Sequence, residues 1–302
     1  MELPAPIVLF CFNRPDHLRQ TIDGLRTNSL ATASELYVIC DGPRHNRPED
    51  LPKIEQVRSI VTGINGFSRV HTFYSAENMG LAKAIITHLS RLFASHKALI
   101  VLEDDIIVHP LFLDFMNQAL EKYKENMSIS SVSGYSYGLN LLGLENVEFA
   151  LVKRASSWGW GTWSNRWTQV DWEVRGFNEF ISDRSKVLQF ADAGKDQVPM
   201  LVKQQKGLIQ SWAVRWTYHH YKTNTYCLIP VKSLLNNIGT DGTGTNFNIK
   251  TKKYDVEIAD YQKIELPSKI SPDPVVQRFI RNHFNPSFFR RIINFIKFGV
   301  WL

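Results

Sequence analysis

The chain has 302 residues, of which 44% are hydrophobic and 21% are charged, which is enough to bury a large core and excludes a largely disordered protein. Its longest apolar runs are far shorter than the roughly 18 to 20 residues of a spanning helix, which excludes an integral membrane protein. The net charge is +6, but five basic residues and no acidic ones fall in residues 275–302. The rest of the chain is therefore close to neutral, and a nucleic-acid partner is not expected.

The start of the sequence and its cysteines bear on the cellular compartment. No basic segment followed by an apolar run opens the chain, which predicts a cytoplasmic protein. The three cysteines, Cys11, Cys40 and Cys227, have neither metal-binding spacing nor the even number of a disulfide framework. We expect them to be reduced.

Strand and helix patterns alternate along the first 126 residues. Continuous apolar runs predict strands at 7–12, 36–40, 70–74 and 98–102. Apolar residues at helical spacing predict helices between them, as with Leu18, Ile22 and Leu25 after Pro15, and a further helix at 111–123. This order predicts an α/β fold in which a mostly parallel sheet is flanked by helices. Ligands of such sheets bind beyond the carboxyl ends of the strands.

The pattern changes from about residue 128 to short strands, glycine-rich turns and many aromatic residues. Five of the eight tryptophans lie between Trp158 and Trp172. Because the sequence contains no internal repeat and no low-complexity linker, we expect residues 1–127 and 128–270 to pack as one domain. A basic tail follows at 271–302.

Polar residues gather where the predicted strands end. The strongest group is Glu103-Asp104-Asp105, directly after an apolar strand. Repulsion between these carboxylates is costly unless a cation offsets it, and oxygen ligands suit Mn²⁺ or Mg²⁺ bound to phosphates. The alternative is a solvated loop or a cap on the following helix.

Two further polar residues follow predicted strands. Asp41, before Gly42-Pro43, is either a turn residue or an acceptor for a nucleotide base. Asn78 is either a plain helix cap or part of an anion site.

The segment from Ser156 to Trp163 alternates tryptophan with glycine. Indole faces stack on sugar rings, and glycine lets a ligand approach the backbone closely. The segment therefore predicts a sugar pocket, with an aromatic core under a loop as the alternative. Neither a phosphate-binding P-loop nor a dinucleotide-binding glycine pattern follows the first strand.

These motifs together resemble bacterial GT-A glycosyltransferases of the family-2 type, distantly similar to N-acetylglucosaminyltransferase I. The resemblance runs in order from about residue 6 to residue 246. It rests on residues 6–15, 40–44, 78–81, 102–105, 158–163, 211–216 and 237–245. It implies a GT-A, Rossmann-like fold and an inverting transfer from a nucleotide sugar, most often a UDP-sugar, with Mn²⁺ or Mg²⁺.

The resemblance also implies roles for single residues. Asp105 would bind the metal, Glu103 and Asp104 would order the ribose and the sugar, and Asp41 would read the base. The predicted donor-binding set is Cys11, Asn13, Arg14, Asp41, Asn78, Gly80, Lys83, Glu103 and Asp104. The predicted sugar- and acceptor-binding set is Trp158, Gly159, Trp160, Trp163, Trp212, Arg215 and Thr243. The glycine-rich residues 237–247 would form a lid that excludes water.

The catalytic base is where the sequence departs from the family pattern. Inverting transfer needs a carboxylate to accept the proton of the acceptor hydroxyl. Relatives often carry an aspartate at the start of the helix that begins Ser-Trp, whereas Ala213 and Val214 follow Trp212 here. We expect Asp241 in the lid to be the base, although a plain loop residue is the alternative, and Asp196 is the second candidate.

The tail predicts an amphipathic helix. Phe288, Phe289, Ile292, Ile293, Ile296 and Val300 fall on one face, with Arg290, Arg291, Asn294 and Lys297 largely on the other. This pattern is typical of a helix that lies on an anionic membrane, and a helix docked on the body is the alternative. A peripheral site at the inner face of the membrane would suit a glycan or undecaprenyl-type lipid-linked acceptor in surface-polysaccharide assembly, such as O-antigen or capsule.

The sequence thus predicts a metal-dependent hexosyl- or N-acetylhexosaminyltransferase. A retaining transferase on the same fold is the first alternative. A non-catalytic carbohydrate-binding protein is the second, and it predicts glycan binding that depends on neither nucleotide nor metal.

Overall fold

The computed structural model describes residues 3–144, 147–242, 254–299 and 302. The strands are β1 (Ile7–Cys11), β2 (Glu35–Cys40), β3 (Arg69–Tyr74), β4 (Ala98–Glu103), β5 (Ile106–Val108), β6 (Ile129–Ser133), β7 (Phe149–Val152), β8 (Trp160–Trp163), β9 (Tyr226–Pro230) and β10 (Leu235–Asn237). The helices are α1 (Pro15–Arg26), α2 (Asp50–Thr62), α3 (Leu81–Leu92), α4 (Phe112–Lys122), α5 (Ser164–Trp167), α6 (Phe177–Ser182), α7 (Arg184–Phe190), α8 (Gln197–Gln205), α9 (Trp212–Thr223), α10 (Pro274–His283) and α11 (Phe288–Phe298).

An eight-stranded sheet in the order β3-β2-β1-β4-β8-β6-β9-β7 forms the centre of the molecule. The four strands from the first half are parallel to one another, and β8 joins β4 in antiparallel register. A two-stranded antiparallel ladder of β10 and β5 lies beside it. The predicted α/β fold with a mostly parallel, GT-A-like sheet flanked by helices is therefore confirmed.

The two faces of the sheet are covered by different helices. All five residues of β1 are buried because the strand is central and lies under both layers. Leu18, Ile22 and Leu25 of α1 pack in the core cluster on one side, and Ile85 and Leu89 of α3 pack in the cluster on the other. These are the apolar positions whose helical spacing predicted the two helices.

The predicted tail forms two helices with different surroundings. In α10, Val276 and Ile280 are buried, so this helix is part of the core. In α11, Asn294 is 5% exposed, although the sequence placed it on the polar face, because this side of the helix packs near α8. Phe289 and Ile296 are 77% and 76% exposed. No helix among the described residues is long and apolar enough to cross a membrane.

Candidate active site

A cavity of about 790 Å³ opens at the carboxyl ends of β1, β2 and β4. Residues that follow these strands, together with the segment before α3, form one wall. The second half of the chain supplies the opposite wall, including Tyr137, Arg154, Trp158, Asp196 and Trp212. The cavity lies where parallel α/β sheets bind ligands, as the sequence predicted.

The acidic loop after β4 is tied to β1 and α1. A carboxylate oxygen of Asp104 accepts a hydrogen bond from the Phe12 N–H at 3.1 Å, and the Asp104 carbonyl accepts one from the Thr21 hydroxyl at 2.8 Å. The Oδ2 of Asp105 pairs with the Arg14 guanidinium at 2.8 Å. The other oxygen of Asp105, Oδ1, is buried and has no hydrogen-bond partner among the described residues.

Burial makes this loop electrostatically costly. It raises the pKa of Glu103 well above the usual value, with further contributions from Asp105 and Asp104. It also raises the pKa of Asp104 to about 7 and that of Asp105 above its usual range, although Arg14 opposes both shifts. Three carboxylates, one buried and two half-buried, beside one guanidinium favour the approach of further positive charge.

The residues present fit a divalent cation that is shared with substrate. In the described part of the chain, no group of three or more His, Cys, Asp or Glu side chains could hold a metal ion by itself. Mg²⁺ and similar ions are commonly bound by one or two carboxylates plus substrate phosphates and waters. The unpartnered Oδ1 of Asp105 is the oxygen available for this purpose. Such an ion would neutralise charge on a departing diphosphate.

Asp41 lines the cavity, but its carboxylate is occupied by the backbone. Oδ1 accepts hydrogen bonds from the N–H groups of Gly42 at 2.9 Å and Met79 at 2.8 Å, and Oδ2 accepts one from Gly80 at 3.1 Å. The carboxylate therefore holds the turn before α3. This geometry favours the turn interpretation of Asp41 over the predicted contact with a base.

A buried carboxylate that no sequence motif indicates, that of Asp50, lies behind the cavity wall formed by Asn13 and Arg44. Asp50 accepts a hydrogen bond from Asn13 at 2.8 Å and two from the Arg44 guanidinium, both at 2.8 Å. These bonds, with those from Arg44 the strongest, lower the pKa of Asp50 to about 2. Asp50 thus orients Asn13 and Arg44, which both line the cavity. The only sequence signal was an acidic residue in the first turn of α2.

Most of the other predicted donor-binding residues also reach the cavity, with one correction. Cys11, Asn78 and Gly80 line it, and Gly80 has a φ of +74°, which glycine adopts readily. Asn78 donates its side-chain N–H to the Gly42 carbonyl at 3.1 Å. Lys83 is exposed and does not line the cavity, because the side of α3 that faces the molecule carries Ala82 and Ile85.

The tryptophan-glycine segment is divided between pocket and core. Trp158 lines the cavity, where its ring packs edge-on against Tyr135 at 4.6 Å. Trp160 and Trp163 are 1% and 4% exposed and do not line it, which corrects the prediction for both. They form β8, a central strand with all four residues buried. A Cβ on Gly159 would lie 2.2 Å from a Leu235 methyl group, so this glycine serves close packing.

Of the two predicted binding residues near the start of α9, Trp212 reaches the cavity and Arg215 does not. Trp212 lines the cavity and stacks on Trp160 with ring centroids 4.9 Å apart. Arg215 does not line the cavity, because it donates to the carbonyls of Trp172 at 2.9 Å and Ser211 at 3.2 Å. Arg215 therefore stabilises the fold around α9, which corrects its predicted binding role.

The two candidate bases lie in different places. Asp241 does not line the cavity, and its carboxylate lies 3.3 Å from Nε2 of His17 on α1. Asp196 lines the cavity and forms a two-pronged ion pair with Arg154, at 2.8 and 3.1 Å. The geometry thus favours the second candidate. Thr243 and the predicted lid from residue 243 onward lie outside the described residues.

Gly239 fixes how closely the segment after β10 approaches the acidic loop. A Cβ at this position would lie 2.0 Å from Oδ2 of Asp105 and 2.9 Å from Nη1 of Arg14. The neighbouring Ile238 N–H donates to the Asp105 carbonyl at 2.9 Å. Glycine is required here because any side chain would displace the Asp105–Arg14 pair.

We therefore expect the Gly239→Ala variant to lose activity. A displacement of about 1 Å at a reacting centre costs roughly 100-fold in rate, so turnover should fall by about that factor. The overpacking should also lower the free energy of unfolding by about 1 to 3 kcal/mol. Gly63→Ala is the matched control, because its Cβ would meet nothing closer than 3.6 Å. Steady-state transfer assays on both variants check this prediction, and equal activity of the two would contradict it.

Comparison with known proteins identifies the class to which this fold and site belong. The family model described as glycosyl transferase family 2 matches residues 7–185, more than half of the chain. The chain belongs to this family, whose members transfer sugars from nucleotide-sugar donors. The resemblance read from the motifs is confirmed. No curated protein sequence matches the chain.

Two of the solved structures that match the chain are distant from it in sequence. The crystal structure of S. aureus TarS is 14% identical, with a TM-score of 0.36, and the match covers 55% of this chain and 30% of that one. A cytidylyltransferase from Leptospira borgpetersenii is 10% identical, with a TM-score of 0.30, and the match covers 56% of this chain and 64% of that one. The chain thus spans less than two thirds of either protein.

Proposed function

We propose that the protein is an inverting, metal-dependent glycosyltransferase. It transfers a hexose or N-acetylhexosamine from a nucleotide sugar, with a UDP-sugar as the favoured donor, to a hydroxyl of a glycan or lipid-linked glycan. The observation that supports this best is the unpartnered Oδ1 of Asp105, buried at the edge of a large cavity and close to Arg14. A carboxylate and a guanidinium in this arrangement suit a cation and a diphosphate, respectively.

A thermal-shift panel tests the donor. UDP-, GDP-, CMP- and dTDP-sugars are added with and without Mn²⁺, and a ligand that binds the folded state raises the melting temperature by mass action. We expect one nucleotide class to produce a shift that needs Mn²⁺. No shift with any donor would argue instead for a carbohydrate-binding protein.

The anomeric configuration of the product separates inverting from retaining transfer. We expect inversion, observed by NMR of the isolated product, because the acceptor side of the cavity offers a carboxylate to accept the hydroxyl proton. Retention of configuration would favour the alternative. The carbohydrate-binding alternative is weakened by Trp160 and Trp163, since both are in the core and cannot stack on sugar.

Asp196 is the proposed catalytic base. We expect Asp196→Asn to lower the turnover number about 100-fold, in line with the loss of a positioned base, and to leave donor binding unchanged. Asp241→Asn is the matched control, and we expect it to retain most activity. Turnover and donor affinity measured for both variants decide the assignment, which is reversed if Asp241→Asn alone is inactive.

The exposed side of α11 supports a contact with an anionic membrane. Phe289 and Ile296 are largely exposed, and the exposed Arg290 and Lys297 would complement acidic headgroups. We propose that this helix holds the enzyme at a membrane. The acceptor there would be a glycan linked to an undecaprenyl-type lipid carrier in surface-polysaccharide assembly.

Flotation with vesicles tests the membrane contact. We expect Phe289→Ser combined with Ile296→Ser to reduce binding to phosphatidylglycerol vesicles by about tenfold, since two exposed apolar anchors are removed. Leu51→Ser combined with Leu208→Ser, two exposed leucines outside α11, is the control. Unchanged flotation of the α11 variant would contradict the proposal.

A further inference from the structure

The ion pair between Arg14 and Asp105 lies at the wall of the large cavity. Nη1 of Arg14 is 2.8 Å from Oδ2 of Asp105, and only 16% and 13% of the two side chains are exposed. Both residues line the cavity. Because water and salt screen a partly buried pair less than an exposed one, the charge of Arg14 acts strongly on this carboxylate.

The position of the Arg14 guanidinium is restricted on the side away from the cavity. Arg14 directly precedes Pro15 at the start of α1, and its carbonyl accepts the Leu18 N–H at 3.0 Å. A Cβ on Gly239 would lie 2.9 Å from Nη1, so the segment after β10 packs closely on the guanidinium. A ligand therefore reaches this group from the cavity.

Arg14 also supplies positive charge to the rest of the acidic loop. Burial raises the pKa of Glu103, Asp104 and Asp105. The charge of Arg14 acts in the opposite direction and lowers the pKa of all three. Within the described residues, the ion pair that the loop forms is the one with Arg14.

The two oxygens of Asp105 have different surroundings. Arg14 holds Oδ2, whereas Oδ1 is buried and has no hydrogen-bond partner among the described residues. A divalent cation bound through Oδ1 would share this carboxylate with the guanidinium, and like charges in a poorly screened site repel each other. A diphosphate relieves the repulsion, because a guanidinium binds phosphate oxygens at two points.

We propose that Arg14 makes cation binding at Asp105 depend on the diphosphate of the donor. Without a diphosphate, the guanidinium balances the charge of Asp105 and weakens the binding of a free divalent cation. A bound diphosphate draws the guanidinium to itself and leaves the carboxylate to the cation. The donor in this inference rests on the proposed transferase function, whereas the competition between Arg14 and a cation for Asp105 does not.

The coupling has a consequence for the order of binding. Coupling between two ligands is reciprocal, so the cation strengthens diphosphate binding by the same factor by which the diphosphate strengthens cation binding. The protein therefore takes up its cation together with the nucleotide sugar, and a bare metal ion binds weakly.

Binding of Mn²⁺ alone tests the competition. Mn²⁺ is titrated into the full-length protein, and free Mn²⁺ is followed by electron paramagnetic resonance. We expect Arg14→Gln to bind Mn²⁺ about tenfold more tightly than the wild type, because a charge that opposes the metal is removed. Arg14→Lys keeps the charge and should stay within about threefold of the wild type. Arg19→Gln removes the same charge from a 53% exposed position on α1, outside the cavity, and should change the affinity less than about twofold.

Binding of UDP without metal tests the contact with the diphosphate. We expect Arg14→Gln to weaken UDP binding about tenfold in calorimetry, because a charge-assisted contact to phosphate is lost. Binding of uridine, which carries no phosphate, should not change. One substitution would thus change two affinities in opposite directions, which a distortion of the fold would not do.

The outcomes distinguish this inference from the proposed function. Unchanged or weaker Mn²⁺ binding in Arg14→Gln would overturn it and leave Arg14 as a support for Asp105. Tighter Mn²⁺ binding with unchanged UDP affinity would also overturn it, because the diphosphate contact would be absent. The Mn²⁺ titration needs no sugar transfer, so its result remains readable if no donor produces a thermal shift.

Discussion

The Asp105→Asn variant is expected to lose about 10³-fold in the rate of sugar transfer. The substitution keeps the size of the side chain and removes the charge that would share a cation with the donor diphosphate. Removing one preorganised electrostatic group from an active site costs about 10² to 10³ in turnover. A transfer assay over a range of Mn²⁺ concentrations measures the effect, and added Mn²⁺ should not restore the rate.

A matched control separates this effect from a general loss of charge. Asp16→Asn, on the exposed side of α1, removes one carboxylate whose side chain is 83% exposed and pairs with Arg19. We expect it to retain normal activity, because exposed ion pairs contribute about 0 to 1 kcal/mol and Asp16 lies outside the cavity. Wild-type activity in Asp105→Asn would contradict the metal assignment and leave the acidic loop as a structural element.

The second large effect concerns stability. Trp160→Ala should lower the free energy of unfolding by about 3 to 5 kcal/mol, as large-to-small substitutions of buried aromatic residues do. The Trp160 ring lies 4.9 Å from that of Trp212, 5.8 Å from that of Trp167 and 6.1 Å from that of Trp216, so its removal opens the centre of an aromatic cluster. Urea denaturation measures the loss.

Trp158→Ala is the informative comparison, because its ring lines the cavity two residues away. We expect a smaller loss of stability, no more than about 2 kcal/mol, and a raised KM for the acceptor. If Trp160→Ala instead raised the acceptor KM at normal stability, the sugar-pocket interpretation of Trp160 would be restored.

The fold and the position of the site could be predicted because both depend on short-range patterns. Apolar runs mark strands that are buried on both faces, and residues that follow parallel strands meet at one edge of the sheet. This is why the acidic loop and Arg14 were found together. The family motifs predict the class of reaction, which the spacing of apolar residues alone cannot indicate.

The residues whose surroundings the sequence does not predict depend on contacts between segments that are distant in the sequence. Whether Trp160 stacks on sugar or fills the core is decided by its position on β8 between β4 and β6. The predicted contact between Asp41 and a base stays a prediction, but no local pattern shows that three backbone N–H groups converge on its carboxylate. Asp50 was missed since its partners, Asn13 and Arg44, lie in two other loops.

The pairing of β8 with β4 restricts how the enzyme can admit its substrates. Ala98 to Val101 are hydrogen-bonded in register with Trp160 to Trp163, so strands from the two halves that form opposite walls of the cavity belong to one continuous ladder. Swinging the two halves apart as rigid bodies would break these bonds and expose buried tryptophans. We therefore expect access to the cavity to depend on local rearrangement of loops at its rim rather than on a hinge between the two halves.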